Sequence, residues 1–342
     1  MTARYRPGGV SRLLAWVDAL PLHGWWVFPG LAALLLAWSH GIIWGTGRLP
    51  FGTFDPLLTA GVVYAPYTLT ALAYVNGVAE RSLVSFWPAT GWPDSEREAW
   101  RYQFVTSPAG YGLSVLLVGV LVAIGAFLSA PPSVVHTGSD WPIFLAAYAP
   151  SAVLGYSLVV VAVIHTSRQL RLVARIHREA TAIDPFDRVP VYAFSELTTR
   201  TGLAFVVGGY YSLTVNGAFQ AGNLVGLGTL AATFAIGTAC FVLPLLGIHD
   251  RLVQAKELLL RDVELRLSRV GGELYRRIDA GEFEATKVIS ESLAGVTALR
   301  ERVVHLPTWP WSPQLLRGFL SALLLPVIVY MITRLISDKI GP

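Results

Sequence analysis

The chain has 342 residues, of which 54% are hydrophobic and only 14% charged, with a formal net charge of +4. Soluble domains carry roughly a quarter charged residues, so this balance excludes an ordinary soluble globular protein; long uncharged tracts instead predict an all-α, polytopic membrane protein. A single cysteine, Cys240, excludes an intrachain disulfide and a multi-cysteine metal site, and the excess of Lys and Arg suits cytoplasmic loops facing anionic lipid rather than nucleic acid.

Arg4, Arg6 and Arg12 precede the first apolar run, as in a signal peptide. The run is too long and too rich in tryptophan for one, so it reads as a retained first span at about 23–44, with Trp25, Trp26, Trp38 and Trp44 near its ends. A second charge-free tract predicts a span at about 57–78, and it is unusually polar, holding Tyr64, Tyr67, Thr68, Thr70, Tyr74 and Asn76. Glu80 to Gln103 is a mixed-charge stretch with several tryptophans, expected at the interface. Spans are predicted next at about 110–130 and about 142–165. Beyond the second of these, Arg168, Arg171, Arg175 and Arg178 recur at helical steps within a basic loop, 166–200, and form a candidate face for anionic lipid headgroups.

Thr201 to His249 has no charged residue in 49 positions, too many for one helix. A turn at Asn216–Asn223 divides it into spans at about 201–217 and about 223–247. The first of these carries Tyr210, Tyr211, Thr214 and Asn216; the second is rich in glycine and alanine, which let helices approach closely.

The segment 249–313 is different in kind. Between His249 and His305 it concentrates ten acidic and ten basic residues. Leu252, Leu259, Val263, Leu267, Val270, Leu274 and Ile278 form one helical stripe, and Ile289, Leu293, Val296, Leu299 and Val303 form another. Asp279-Ala280-Gly281 supplies a turn, so a charged helical hairpin is predicted, with Leu258, Leu260 and Leu265 left off its seam as association residues. Pro307, Pro310 and Pro313 interrupt the helix before a short last span at about 318–333.

The expected organisation is therefore a bundle of six spans at 1–248, the hairpin at 249–313, and a last span with its tail at 314–342. With the N-terminus inside and the C-terminus outside, 23 of the 26 Lys and Arg fall on cytoplasmic segments, which is the positive-inside pattern of a cell-membrane protein. In layout alone this resembles insect chemoreceptor channels.

No phosphate-binding loop, zinc-protease motif or nucleophile elbow is present. No catalytic residue, metal site or cofactor is expected, and no enzyme activity. The spans also lack central charge, which argues against a proton relay. What remains is neutral polarity: Tyr67, Thr70, Tyr74 and Asn76 in one span, and Tyr210, Tyr211 and Thr214 in another. These residues either line a conduit for an ion or small solute, or serve as interhelical hydrogen bonds and interfacial tyrosines. The alternative class is a membrane-anchored signalling or scaffold protein. Membrane lipids, a second copy, or a cytosolic protein bound through 249–305 are the expected partners. Of the histidines, His165, His249 and His305 are expected at a solvated boundary.

Overall fold

A computed structural model describes residues 5–20, 24–129, 141–215 and 224–340. Its regular elements are helical: α1 (Gly9–Asp18), α2 (Gly24–Gly45), α3 (Pro56–Phe86), α4 (Arg97–Val105), α5 (Gly112–Ser129), α6 (Trp141–Glu179), α7 (Arg188–Val215), α8 (Leu224–Val242), α9 (Leu246–Asp279), α10 (Phe283–Val304) and α11 (Pro313–Ile340). The predicted turn at 216–223, the loop at 131–140 and the side chain of Thr214 lie outside the described residues.

Three helical stretches, Trp26–Gly45, Trp141–Glu179 and Phe234–Asp279, are long and apolar enough to cross a membrane, and Ala109–Gly125 and Pro313–Val329 are shorter apolar helices. Their outer faces are apolar too. Leu34, Leu113, Leu121, Leu324 and Leu325 all stand exposed, and many large apolar side chains at the surface are compatible with lipid and unfavourable in water.

α3 is central. It packs against α2, α6 and α7; α7 in turn packs against α8 and α11, and α5 against α6. Glycine sets the closest approaches. A Cβ on Gly202 of α7 would lie 2.8 Å from the Gly237 carbonyl oxygen of α8 and 2.9 Å from the Phe319 ring of α11. One on Gly119 of α5 would lie 2.8 Å from the Ser157 backbone of α6. The packing runs through backbone contact, as small residues permit between membrane helices.

The helices outrun the apolar tracts that predict them. α3 continues to Phe86, α6 to Glu179, and α7 begins at Arg188 rather than near residue 201. The extensions meet at one end of the bundle, where Leu83, Phe86, Trp87, Trp100, Phe104, Ile176, Phe194, Leu197 and Ile248 form one buried core. Trp87 and Trp100 are buried in this core and Trp92 packs against it: Trp92 stacks on Trp100 at 5.0 Å, and Trp87 meets Trp92 edge-on at 5.9 Å. The N-terminal segment joins the same end, with the Gly8 amide donating to the Ser107 carbonyl at 2.7 Å. The N-terminal segment, the 80–103 stretch, the 166–200 loop and the root of the 249–313 segment, which together hold most of the Lys and Arg, thus meet at this end, the basic end of the bundle. The opposite end holds Ile43, Leu58, Phe144 and Tyr148, and Asp55 caps α3 there by accepting from the Leu58 amide at 2.9 Å.

α9 and α10 pack against each other as a hairpin, turning at Gly281 with φ of +75°. Gly271 and Gly272 do not break α9. Leu252, Val263 and Val303 are buried in or near the seam, and the acid-before-base pairs Asp262–Arg266 at 3.0 Å and Glu273–Arg277 at 2.8 Å form along α9. Pro313 starts α11 instead of interrupting a helix, since a proline in the first turn gives up no hydrogen bond. The last helix is accordingly 28 residues, not the 16 of its uncharged core.

Candidate functional site

Three features bring chemistry-bearing groups together: a polar hub at the basic end, an apolar cavity beside it, and the exposed hairpin.

Asn76 is the centre of the hub. Its Oδ1 accepts from His165 Nε2 and from Gln169 Nε2, each at 2.8 Å, and its Nδ2 reaches the Val105 carbonyl at 3.4 Å. Gln169 also donates to the Phe104 carbonyl at 2.8 Å. Because a carbonyl oxygen only accepts, His165 carries its proton on Nε2. His165 and Gln169 are buried, so the solvated reading of His165 is wrong: the α6 turn that leaves the apolar tract faces α3 and α4, not water. Arg168 extends the network. It donates to the Thr106 carbonyl at 3.2 Å and to the Tyr5 hydroxyl at 2.9 Å, with its guanidinium 4.9 Å above the Tyr5 ring.

The arginine face is thereby divided. Arg168 works inside the fold, and Arg175 pairs with Glu179 at 2.7 Å while lying over Trp100. Arg171 and Arg178 are exposed.

His177, about three turns beyond His165 on α6, is fully buried among Phe86 and Phe194, edge-on to both rings at 4.9 and 5.3 Å. Neither ring nitrogen makes a hydrogen bond of normal geometry among the described residues. Burial pushes its pKa down to about 3; the nearby Pro244 carbonyl opposes that shift and the Arg251 guanidinium adds to it.

The cavity lies between α3, α6 and α7, with a volume of about 250 Å³. Of the predicted pore residues among those described, only Tyr67 lines it, with Tyr64, Thr68, Ala71, Leu72 and Val75 completing the α3 wall. Tyr67 donates to the Ala204 carbonyl at 2.7 Å, and Gly208 makes room for its ring, a Cβ there falling 3.2 Å from it. Thr70 turns back to the Pro66 carbonyl at 2.8 Å and Thr68 to that of Tyr64 at 2.8 Å. Tyr74 is exposed and lies 6.0 Å beneath Arg200. Tyr211 sits edge-on to Tyr64 at 5.5 Å, at the end of the cavity away from the hub, while Tyr210 does not line it. The 67, 70, 74 stripe is therefore not one lining face. The face that does line the cavity is 64, 67, 68, 71, 72 and 75, which a pair of glycines at 208–209 on the facing helix would have indicated.

At the root of the hairpin an aromatic column forms. His249 stacks on Trp309 at 3.8 Å, Trp309 on Trp311 at 4.5 Å, Trp311 on Phe241 at 4.8 Å, and Phe241 on Phe319 at 4.2 Å. His249 also bonds the Thr308 carbonyl, and Lys256 donates to the carbonyls of Val304 and Leu306. The boundary residue His249 is thus part of a clamp that ties α9 to the linker before α11. Farther out the hairpin is bare. Leu258 is 65% exposed, Leu265 58%, Tyr275 71% and Val288 66%, while Leu260 is half-buried. Among the described residues no cluster of three His, Cys, Asp or Glu is placed to hold a metal ion.

Comparison with family models, curated proteins and solved structures gives no match to this chain. The class that can be stated is a helical protein with three helices able to cross a membrane; its role rests on the geometry above.

Proposed function

We propose that this is a non-enzymatic, seven-span membrane protein that displays the α9–α10 hairpin on the cytoplasmic side as an association module, copies pairing hairpin to hairpin. The observation that carries this is the pair of exposed apolar side chains, Leu258 and Leu265, on a hairpin clamped at its root. Two helices alone shield little of each other, and heptad-spaced leucines one turn-pair apart are what a third and fourth helix cover. Ten acidic and ten basic residues make the segment neutral overall, so two copies meet without net repulsion, and a strongly charged partner gains nothing from it.

The seven-span arrangement is supported by the meeting of the N-terminal segment, the α3–α4 region, the α6–α7 connection and the hairpin root at one basic end, which fits cytoplasmic placement. The conduit reading is weaker. The hydroxyls of Tyr67, Thr68 and Thr70 are already donated to carbonyls, and a hydrated path needs polar atoms that are free to meet a passing solute.

The test is the mass of the solubilised particle. Leu258→Asp with Leu265→Asp should convert a dimeric or larger particle to a monomer and leave the melting temperature of the bundle within a few degrees of wild type. A monomeric wild type, or an unchanged mass in the double variant, contradicts the proposal.

A further inference from the structure

The α9 face that shows Leu258 and Leu265 also carries Arg261 and Arg269, the four recurring at steps of three, four and four. All four are exposed. Among the described residues neither of these arginines makes an ion pair, whereas Arg266, Arg276 and Arg277 are held by acids of the same hairpin. The back of α10 has the opposite character. Glu291, Ala294, Ala298 and Glu301 recur at steps of three, four and three and are all exposed. Neither glutamate is paired among the described residues, the α10 ion pair being Arg300 with Glu264 at 3.7 Å. One face is thus leucine and unpaired arginine, the other alanine and unpaired glutamate.

The two faces also match in height. Glu264 reaches Arg300, and Lys256 donates to the Val304 carbonyl. These contacts set Arg261 level with Glu301, Leu265 with Ala298, and Arg269 with the turn Glu291–Ala294. Copies in one membrane raise their hairpins equally, so the same levels hold between neighbours. With 3.6 residues per turn, an α9 face laid against a neighbour's antiparallel α10 puts Arg261 and Glu301 on one flank and Arg269 and Glu291 on the other. Leucines then meet alanines between them, large against small. Pairing α9 with α9 would instead gather the unpaired arginines of both copies, and α10 with α10 their unpaired glutamates.

We infer that the α9 face of one copy docks on the α10 face of the next, Arg261 pairing with Glu301 and Arg269 with Glu291. This rests on pairing through the hairpin and specifies which faces meet. The contact is head-to-tail, so each copy keeps one face of each kind open, and association runs on to a row or a ring.

The test is complementation between charge-reversed full chains in detergent at low salt, read as particle mass against concentration. One variant is Arg261→Glu with Arg269→Glu, the other Glu291→Arg with Glu301→Arg. All four positions are exposed, so both variants should melt within a few degrees of wild type. Each alone sets like charges against each other and should self-associate about ten- to a hundredfold more weakly. Mixed in equal amounts, the two should recover the wild-type mass, because every contact in the mixture can again join opposite charges. Wild-type association in either variant alone, or a mixture no heavier than its components, overturns the inference. If the Leu258→Asp, Leu265→Asp chain is nevertheless monomeric, pairing through the hairpin stands and only the choice of faces falls; a monomeric wild type removes both.

Discussion

Replacing Asn76 by leucine should cost the folded bundle about 3–5 kcal/mol, since it strands two buried side chains and one backbone carbonyl together. An unsatisfied buried polar group costs about 1–3 kcal/mol. His165 and Gln169 each lose their bond to Oδ1, and the Val105 carbonyl loses its weaker one. Gln169 keeps the Phe104 carbonyl, which limits its loss, whereas the described contacts leave His165 Nε2 no second acceptor. Chemical or thermal unfolding in detergent reads the difference. A double-mutant cycle with Gln169→Leu should show coupling of about 0.5–3 kcal/mol, as residues sharing one network do. A loss below about 1 kcal/mol would mean that the hub is not the fastening between α3, α4 and α6 that the hydrogen bonds describe.

The second large effect is acid sensitivity centred on His177. Its folded pKa of about 3 lies below the usual 6.5, so on acidification the unfolded chain takes up the proton first. The stability contributed by keeping this ring neutral is complete above pH 6.5. It falls as pH drops from there towards 3 and is constant below that. The slope is about 1.4 kcal/mol per pH unit, so pH 5 should cost about 2 kcal/mol relative to pH 7. His177→Phe suits the space between Phe86 and Phe194 and gives up no hydrogen bond of normal geometry. It should remove about half of the fall in melting temperature between pH 7 and 5, because His165 is also buried in the folded chain and must likewise take up a proton on unfolding. A variant that keeps the wild-type acid slope would assign that slope to other groups.

The parts of this fold that are legible in the sequence are those with a short period. The α9 and α10 stripes and the turn at Asp279–Gly281 are local patterns, and the helices follow them. Apolar run length is a poorer guide to helix length. It marks where a helix would meet lipid, not where its hydrogen bonds stop, so α7 starts at Arg188 and α11 spans Pro313–Ile340. The hub was invisible for a different reason. Asn76 and His165 are 89 positions apart, and a histidine beside an apolar tract carries no local sign of its partner. Tryptophan is ambiguous in the same way: Trp100 suits a membrane interface as well as the core it occupies. The polar stripe misled because period alone does not say which face of α3 meets α7; the Gly208–Gly209 pair opposite Tyr67 does.

The most direct test of the whole arrangement is sidedness, measured by a membrane-impermeant thiol reagent on intact cells. In a Cys240→Ser background, a cysteine at Phe51, which is 88% exposed and lies at the end opposite the basic one, should be labelled. A cysteine at Ala280, in the turn of the hairpin, should be labelled only after the membrane is permeabilised. Labelling of Ala280→Cys in intact cells, or of neither position before permeabilisation, would contradict a cytoplasmic hairpin carried on a membrane-crossing bundle.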